Sequence, residues 1–317
     1  MKILVSGAAG FIGFHTANTL LQQGHLVIGI DNINDYYDVT LKADRLKELE
    51  CNKNFVFEKT DIVELTELRK VFIKHEPDVV IHLAAQAGAR YSVVNPFIYQ
   101  QVNGEGFLNI IDLSREFKVE RFIYASSSSV YGDNTKLPFS ENDSVNNPLS
   151  IYGATKRSNE LTAFSYNHLF ALKTCGLRFF TVYGPWGRPD MAPILFTKTI
   201  IEEEPLLVFN HGKMKRDFTY IDDIVSGILA TLEAEELSPI YNLGNNKQVE
   251  LMYFIECLEK AIGKKAQKEY LPKPDEDVTE THADITLARK ELNYEPKTSI
   301  EEGINRFIIW YRSYYND

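Results

Sequence analysis

Cysteine and basic charge are what this chain has least of. Its three cysteines in 317 residues (Cys51, Cys175, Cys257) are too few and too scattered for a disulfide framework or a zinc cluster. A reducing cytoplasm is therefore expected, and no metal site. Lys and Arg number 34 against 44 Asp and Glu, a net charge of -10. Neither nucleic acid nor an anionic membrane is an expected partner, since both require an outward basic patch. An anionic small molecule would have to be held by a few placed Arg and Lys against the overall field. Long hydrophobic runs are missing too. The run Ile3-Leu4-Val5 breaks at Ser6-Gly7, whereas a signal peptide needs about 7 apolar residues and a spanning helix about 20. No internal repeat or low-complexity tract is visible.

Hydrophobic residues make up 44% of the chain, enough for one large domain or two that pack closely. Short apolar runs alternate with longer amphipathic ones through the first two-thirds, as in βαβ units. Strands are expected at Lys2–Ser6, His25–Ile30, Phe55–Lys59, Val79–Leu83, Arg121–Ser126 and Lys173–Phe180. Most are apolar on both faces, which suits a buried parallel sheet. Helices are expected at Phe11–Gln23, Leu65–Lys74, Pro96–Phe117 and Tyr152–Phe170. After Gly184-Pro185-Trp186-Gly187-Arg188-Pro189 the elements shorten to Leu206–Phe209, Ile221–Glu235, Ile240–Leu243 and Leu251–Gly263. A surface loop at Leu271–Asp277 and a closing helix at Ile300–Tyr315 complete the chain. The expected fold is α/β, a doubly wound parallel sheet of Rossmann type over residues 1–183. A smaller α/β unit over 184–317 would cap it, with some chain crossing back.

Gly7, Gly10 and Gly13 follow the first strand and open the first helix. Glycines there allow a tight turn and close backbone approach to a pyrophosphate, and the N–H groups of Phe11 and Ile12 lie at the helix N-terminus. The spacing is G-x-x-G-x-x-G, so the flanking βαβ context carries the argument more than the pattern does. Asp31 ends the second strand, where a carboxylate can accept both ribose hydroxyls of NAD and would repel the 2′-phosphate of NADP. Asn32 is placed to assist it. Asp61-Ile62 after the third strand either flanks the adenine or, through Asp61, caps the next helix. Leu83, Ala84 and Ala85 end the fourth strand with little bulk, leaving room for the cofactor.

Tyr152 and Lys156 stand four apart, one turn of a helix, so their side chains share a face. There an ammonium can lower a tyrosine pKa from about 10 towards working pH. Ser126-Ser127-Ser128-Ser129 ends an apolar strand, where serine packs poorly, and a hydroxyl there can pass a proton or hold a substrate oxygen. That chemistry suits removal of a hydride from a secondary alcohol.

Gly7–Gly13, Ser126–Gly132, the Tyr152/Lys156 pair and Arg178-Phe179-Phe180-Thr181-Val182-Tyr183-Gly184-Pro185 together resemble the extended short-chain dehydrogenase/reductases that modify nucleotide sugars. Three longer stretches are similar to UDP-glucuronate 4-epimerases: Asp31–Asp38, Tyr183–Met191 and His211–Tyr220. The resemblance implies that Tyr152 removes the 4-hydroxyl proton while tightly held NAD takes the C4 hydride. Lys156 would bind the nicotinamide ribose and lower the tyrosine pKa. The catalytic serine would be Ser127, or Ser128 if the register is one residue off. The 4-keto sugar would then turn over and regain the hydride on its other face. Helices Pro96–Phe117 and Tyr152–Phe170 would pair two copies into a homodimer. The product would supply a surface polysaccharide.

The resemblance also separates related reactions. Dehydratases of this family carry an Asp-Glu beside the catalytic residue and the decarboxylases a Glu, where this chain has Ser128 and Ser129, so epimerisation is expected. A glucuronate oxidised at C4 is a β-keto acid, and its carboxylate must be restrained against loss of carbon dioxide. Arg188 is the candidate for that grip, with Thr181, Ser128 and Ser129 in support; otherwise it is a solvent-exposed loop charge. Arg216 would hold the diphosphate, or else pair with Asp217 or Asp222. Arg90 would contact the same anion, and Leu206–Phe209, centred on Val208, would pack the uracil. Asp277 would bind the uridine ribose, although the family's Arg and Gly are absent from Pro272–Val278, where Lys273 is the one cation that can substitute. The alternatives are a 4-epimerase of UDP-glucose or UDP-N-acetylglucosamine, and a non-catalytic NAD-binding regulator.

Overall fold

Parallel strands buried on both faces need apolar side chains in both directions, and the chain supplies them. The computed structural model describes residues 1–274 and 278–316. Strands β1 (Lys2–Ser6), β2 (Leu26–Asp31), β3 (Phe55–Lys59), β4 (Val79–His82), β5 (Arg121–Ser127) and β6 (Thr174–Phe179) come in chain order. β7 (Thr181–Tyr183), β8 (Pro205–Val208) and β9 (Lys215–Tyr220) lie outside that sheet, and β10 (Ile240–Leu243) returns to its edge. The seven strands run β10-β6-β5-β4-β1-β2-β3, all parallel. Ile3, Val5, Val27 and Ile81 enter one core with Phe14, Leu46, Ile224 and Phe307. Leu4, Ile28, Val80 and Phe122 enter the other with Leu68, Phe72, Phe107 and Ile110.

The helices covering the two faces are α1 (Phe11–Gln22), α2 (Val39–Glu50), α3 (Leu65–His75), α4 (Ala89–Val94), α5 (Pro96–Tyr99), α6 (Phe107–Glu116) and α7 (Ile151–Phe170). They are followed by α8 (Ala192–Ile201), α9 (Ile221–Glu233), α10 (Leu251–Ile262), α11 (Thr286–Leu292) and α12 (Ile300–Tyr315). Helix α3 carries the chain from the β3 edge back to β4, on the far side of β1. Strand order reverses there, so a crevice opens between the C-terminal ends of β1 and β4, where such sheets bind ligands.

The expected helix over 96–117 is three pieces: α5, a wide π turn over Gln100–Gly106, and α6. Gly104 and Gly106 weaken the α form there, and the turn presents Asn103 to its neighbours. Helix α2 has no counterpart in the sequence reading, because Lys42 and Arg45 interrupt its apolar stripe of Leu41, Leu46 and Leu49. Downstream of residue 184 the chain does not stay apart from the sheet. It contributes β10 to the parallel sheet, while β7 pairs with β9 in a three-stranded sheet with β11 (Gln248–Glu250). β8 pairs with β12 (Gln267–Tyr270). Among the described residues no helix is long and apolar enough to cross a membrane.

Candidate active site

The glycine turn closes the crevice at β1. Gly7 has φ +74°, and a Cβ on it would lie 2.8 Å from the Ala84 amide nitrogen. A Cβ on Gly13 would lie 2.0 Å from the Gly7 carbonyl oxygen, so helix and turn meet backbone to backbone. Gly10 stands at the N-cap of α1 and no side chain caps that terminus, which leaves the Phe11 and Ile12 end of the helix facing the crevice. The Ser6 hydroxyl accepts from the amides of Leu83 (3.1 Å) and Ala84 (3.2 Å) and donates to His82 Nδ1 (2.7 Å). These bonds hold Leu83, Ala84 and Ala85 against the turn.

Asp31 is largely buried at the end of β2. Its Oδ2 accepts from the Ala9 amide at 3.1 Å and its Oδ1 from Ile33 at 2.9 Å. Burial pushes its pKa up, and these amides and the nearby Lys42 and Arg45 pull it down. Lone pairs remain for a ribose diol, so turn, helix end and carboxylate fit NAD. Asn32 donates to Asp61 Oδ2 at 2.8 Å, and Asp61 Oδ1 accepts from the Val63 amide, closing the turn before α3. Glu64, not Asp61, is the N-cap of α3. Ile62 points its side chain away from the crevice, into the core under α6, so only its backbone is available to a ligand.

Ser150 caps α7, its hydroxyl accepting from the Gly153 amide at 3.0 Å, so Tyr152 stands in the first turn. A Cβ on Gly153 would lie 2.7 Å from the Ser129 carbonyl oxygen, a contact only glycine permits. That approach sets the serine segment against the helix. The Ser127 hydroxyl faces the Tyr152 phenol, and it accepts from the Ser129 amide at 3.1 Å. Among the four serines Ser127 therefore stands opposite the tyrosine, while Ser128 and Ser129 open a short 3-10 turn beside it.

Lys156 is buried, donates to the Ala125 carbonyl at 2.9 Å, and is held down to a pKa of about 8 by loss of hydration. The expected lowering of Tyr152 is not what the structure has. Burial pushes the phenol up, and the opposing pull comes from Ser127 and the Arg188 cation. Lys156 lies one turn further along, turned to a carbonyl and shorn of water.

Arg188 lies within electrostatic reach of Tyr152, with its side chain 18% exposed, and is not a solvated loop charge. Its Nε and Nη2 hold Asp190 at 3.0 and 2.5 Å, and Nη2 also donates to the Ala87 carbonyl at 3.3 Å. Thr181 is half-buried on β7. Among the described residues Arg216 donates to the carbonyls of Lys215, Val278 and Thr279, while Asp222 pairs with Arg306. The Val208 side chain is 0% exposed in a core with Leu206, Met214 and Ile255, so only its backbone is available to a ligand. Strand alternation turns Val208 inward, and the neighbouring Phe209 instead carries the Arg90 guanidinium 4.5 Å from its ring centroid. Asp277 lies outside the described residues. Lys273 donates to the Pro274 carbonyl.

Four residues of the site escaped the sequence reading. Lys42 donates to Asn34 Oδ1 and O at 2.6 and 2.7 Å beside Asp31. Arg45, fully buried, donates to Ala9 O, Tyr37 Oη, Trp186 O and Gly187 O, tying the glycine turn to the Arg188 loop. Asn103 bonds Gln86 and Thr155, fastening the β4 loop to α7. Asp190 is the fourth. Cations at helical spacing inside an apolar stripe were the signal for Lys42 and Arg45.

A family model described as GDP-mannose 4,6 dehydratase matches residues 4–307. Protein CapI of Staphylococcus aureus is 50% identical, over 99% of this chain and 99% of that protein. A UDP-glucuronate 4-epimerase of Thermodesulfobacterium geofontis is 47% identical, over 97% of this chain and 95% of its own. Among solved structures, the UDP-glucuronic acid 4-epimerase of Bacillus cereus in complex with UDP-glucuronic acid and NAD superposes with a TM-score of 0.94. Its identity is 38%, and the match covers 99% of this chain and 100% of that one.

Proposed function

The chain belongs to the extended short-chain dehydrogenase/reductase family of NAD-dependent UDP-sugar 4-epimerases, and on that premise we propose that it interconverts UDP-glucuronate and UDP-galacturonate. The observation that carries this reading is the charge at the reacting centre. The strand end opposite Tyr152 offers Ser127, Ser128 and Ser129, with no acid among them, and the cation within reach of the phenol is Arg188. Elimination of water needs a general acid at that strand end. A uronate needs a guanidinium.

NAD, when bound, supplies the two-electron acceptor for C4 and returns the same electrons. Tyr152 takes the proton of the 4-hydroxyl and gives it back, with the Ser127 hydroxyl holding the oxygen. Lys156, already stripped of water, meets the nicotinamide ribose. Gly7, Gly10, Phe11, Ile12 and Gly13 hold the pyrophosphate, and Asp31 with Asn32 holds the adenosine ribose. Asp61, Leu83, Ala84 and Ala85 line the cofactor's path. Arg188, supported by Ser128, Ser129 and Thr181, keeps the carboxylate's bond out of the orientation perpendicular to the ketone that releases carbon dioxide. Arg216 and Arg90 take the diphosphate, and the Leu206–Phe209 segment, through the Val208 backbone and the Phe209 ring, takes the base.

We further assign a cytoplasmic homodimer that supplies a glycosyl donor for polysaccharide assembly. Three unpaired cysteines support a reducing compartment. Phe97, Leu108, Leu161 and Phe164 are exposed on α5, α6 and α7, which supports pairing of two copies along those helices.

Proton NMR of the purified protein with UDP-glucuronate, with and without added NAD, tests the reaction. A UDP-galacturonate anomeric signal in both samples is expected. One observation favours a neutral hexose instead, namely that Asp190 already neutralises Arg188. Turnover of UDP-glucose or UDP-N-acetylglucosamine, with UDP-glucuronate untouched, would establish that second reading.

A further inference from the structure

Arg188 has two hydrogen-bonding edges, and they are unequally used. The side-on edge, Nε with Nη2, carries Asp190, and Nη2 also reaches the Ala87 carbonyl. For Nη1 no hydrogen-bond partner is found among the described residues. Asp190 is itself fastened from the cofactor side of the crevice. Tyr36, on the loop that follows Asp31, donates to Asp190 Oδ2 at 3.4 Å and lays its ring under the guanidinium, 5.8 Å from centroid to carbon. The backbone leading into Arg188 is equally constrained. His15 Nε2 donates to the Pro185 carbonyl at 2.9 Å, and Arg45 donates to the carbonyls of Trp186 (2.6 Å) and Gly187 (3.1 Å). Trp186 keeps a left-handed φ of +60° between the rings of Phe14, Trp310 and Tyr314. A bulky residue holds that conformation only when its surroundings enforce it.

We infer that Asp190 is the positioning residue that makes the Arg188 site selective for an acid sugar: it locks the side-on edge of the guanidinium and offers only Nη1 to the substrate carboxylate. The inference rests on the uronate reading above. An arginine held at one edge loses little further freedom on binding, and its free edge has a fixed direction. Direction matters for this substrate. A β-keto acid loses carbon dioxide when the breaking bond stands perpendicular to the ketone. A guanidinium free to swing would follow its carboxylate into that position, and one locked by Asp190 would not. The same lock gives a neutral sugar nothing.

Asp190→Asn, which keeps shape and removes charge, tests this against wild type by NMR and initial rates. Expected are a KM for UDP-glucuronate raised about tenfold, the equivalent of about one oriented charge-assisted bond, kcat within about twofold, and a UDP-pentose signal absent from wild type. Asp190→Glu, which restores the charge, should recover part of the KM and suppress the pentose. Tyr36→Phe, which removes only the hydroxyl on Asp190, should shift KM the same way by a smaller factor. A lowered KM in Asp190→Asn would make Asp190 a competitor of the substrate and overturn the inference. Unchanged KM and product, or a fall in kcat without pentose, would overturn it too. Wild-type protein that leaves UDP-glucuronate untouched would instead sink the uronate reading, and this one with it.

Discussion

Arg178 and Glu160 form a two-bond ion pair directly behind the serine strand, Nε to Oε1 at 2.8 Å and Nη2 to Oε2 at 2.9 Å. Both side chains are buried. Glu160 also accepts from the Ser126 hydroxyl at 2.6 Å and from Arg157 at 2.9 Å, and Arg178 donates to the Tyr131 hydroxyl at 3.0 Å. The pair thus joins β5, β6 and α7 one residue from Ser127 and one turn beyond Lys156. The charges are satisfied on every side, so the cost lies in removing one partner.

Glu160→Gln should leave the Arg178 cation half-partnered in the interior. A loss of about 3 kcal/mol of unfolding free energy is expected from breaking a buried pair at one end. Urea denaturation measures it, and a change below about 0.5 kcal/mol would show that the network adds nothing to stability.

Tyr152→Phe removes the phenolic proton carrier and leaves the crevice intact. Epimerisation should fall by about 10²–10⁴-fold, while NAD retention, read by absorbance and mass spectrometry of the purified protein, stays at the wild-type level. Retained turnover would remove Tyr152 from the chemistry.

Arg188→Ala leaves a uronate without its guanidinium. UDP-glucuronate turnover should drop by at least about tenfold, the worth of about one charge-assisted contact, or pentose product should appear by NMR. Identical rate and product would place the carboxylate elsewhere.

Burial holds His15 at about 4 and His82 at about 3, below the ordinary imidazole value. Between pH about 6.5 and about 4 the unfolded chain binds protons that the fold refuses, so stability falls as pH falls through that window. His15→Gln keeps a donor for the Pro185 carbonyl and cannot titrate. Its Tm should decline less steeply than wild type from pH 6.5 to 4.5, and a slope equal to wild type would exclude His15 from the acid response.

Phe164 is 64% exposed on α7. If two copies pair along this face, Phe164→Asp should move the mass by light scattering from dimer to monomer, since it puts a charge into the apolar seam. A wild-type monomer at micromolar concentration would end the dimer assignment.

Local chemistry was legible from the chain alone. Glycine spacing after an apolar strand, a carboxylate ending the next strand and a Tyr/Lys pair one turn apart each depend on neighbours within a few residues. The parallel sheet followed from runs apolar on both faces, and all six early strands stand within a residue of their expected ends. Where local pattern was mixed it misled. Lys42 and Arg45 hid helix α2 because their partners lie off the helix, Asn34 and Tyr37 on the loop before it and Ala9, Trp186 and Gly187 on distant segments. The resemblance named the segment Leu206–Phe209 and not its inward face, and the packing of β8 turns the Val208 side chain into the core.

The sequence by itself determined the sheet, the glycine turn and the placing of Tyr152 and Lys156 one turn apart on a helix, because those are properties of short segments. Only the tertiary structure decided the electrostatics. Tyr152 is raised by burial, Lys156 is turned to a carbonyl, and Arg188 is locked by Asp190, which Tyr36 fastens from 154 residues away in the chain. Charge and desolvation act through space over a few ångströms, and which groups come that close is set by how the chain closes on itself.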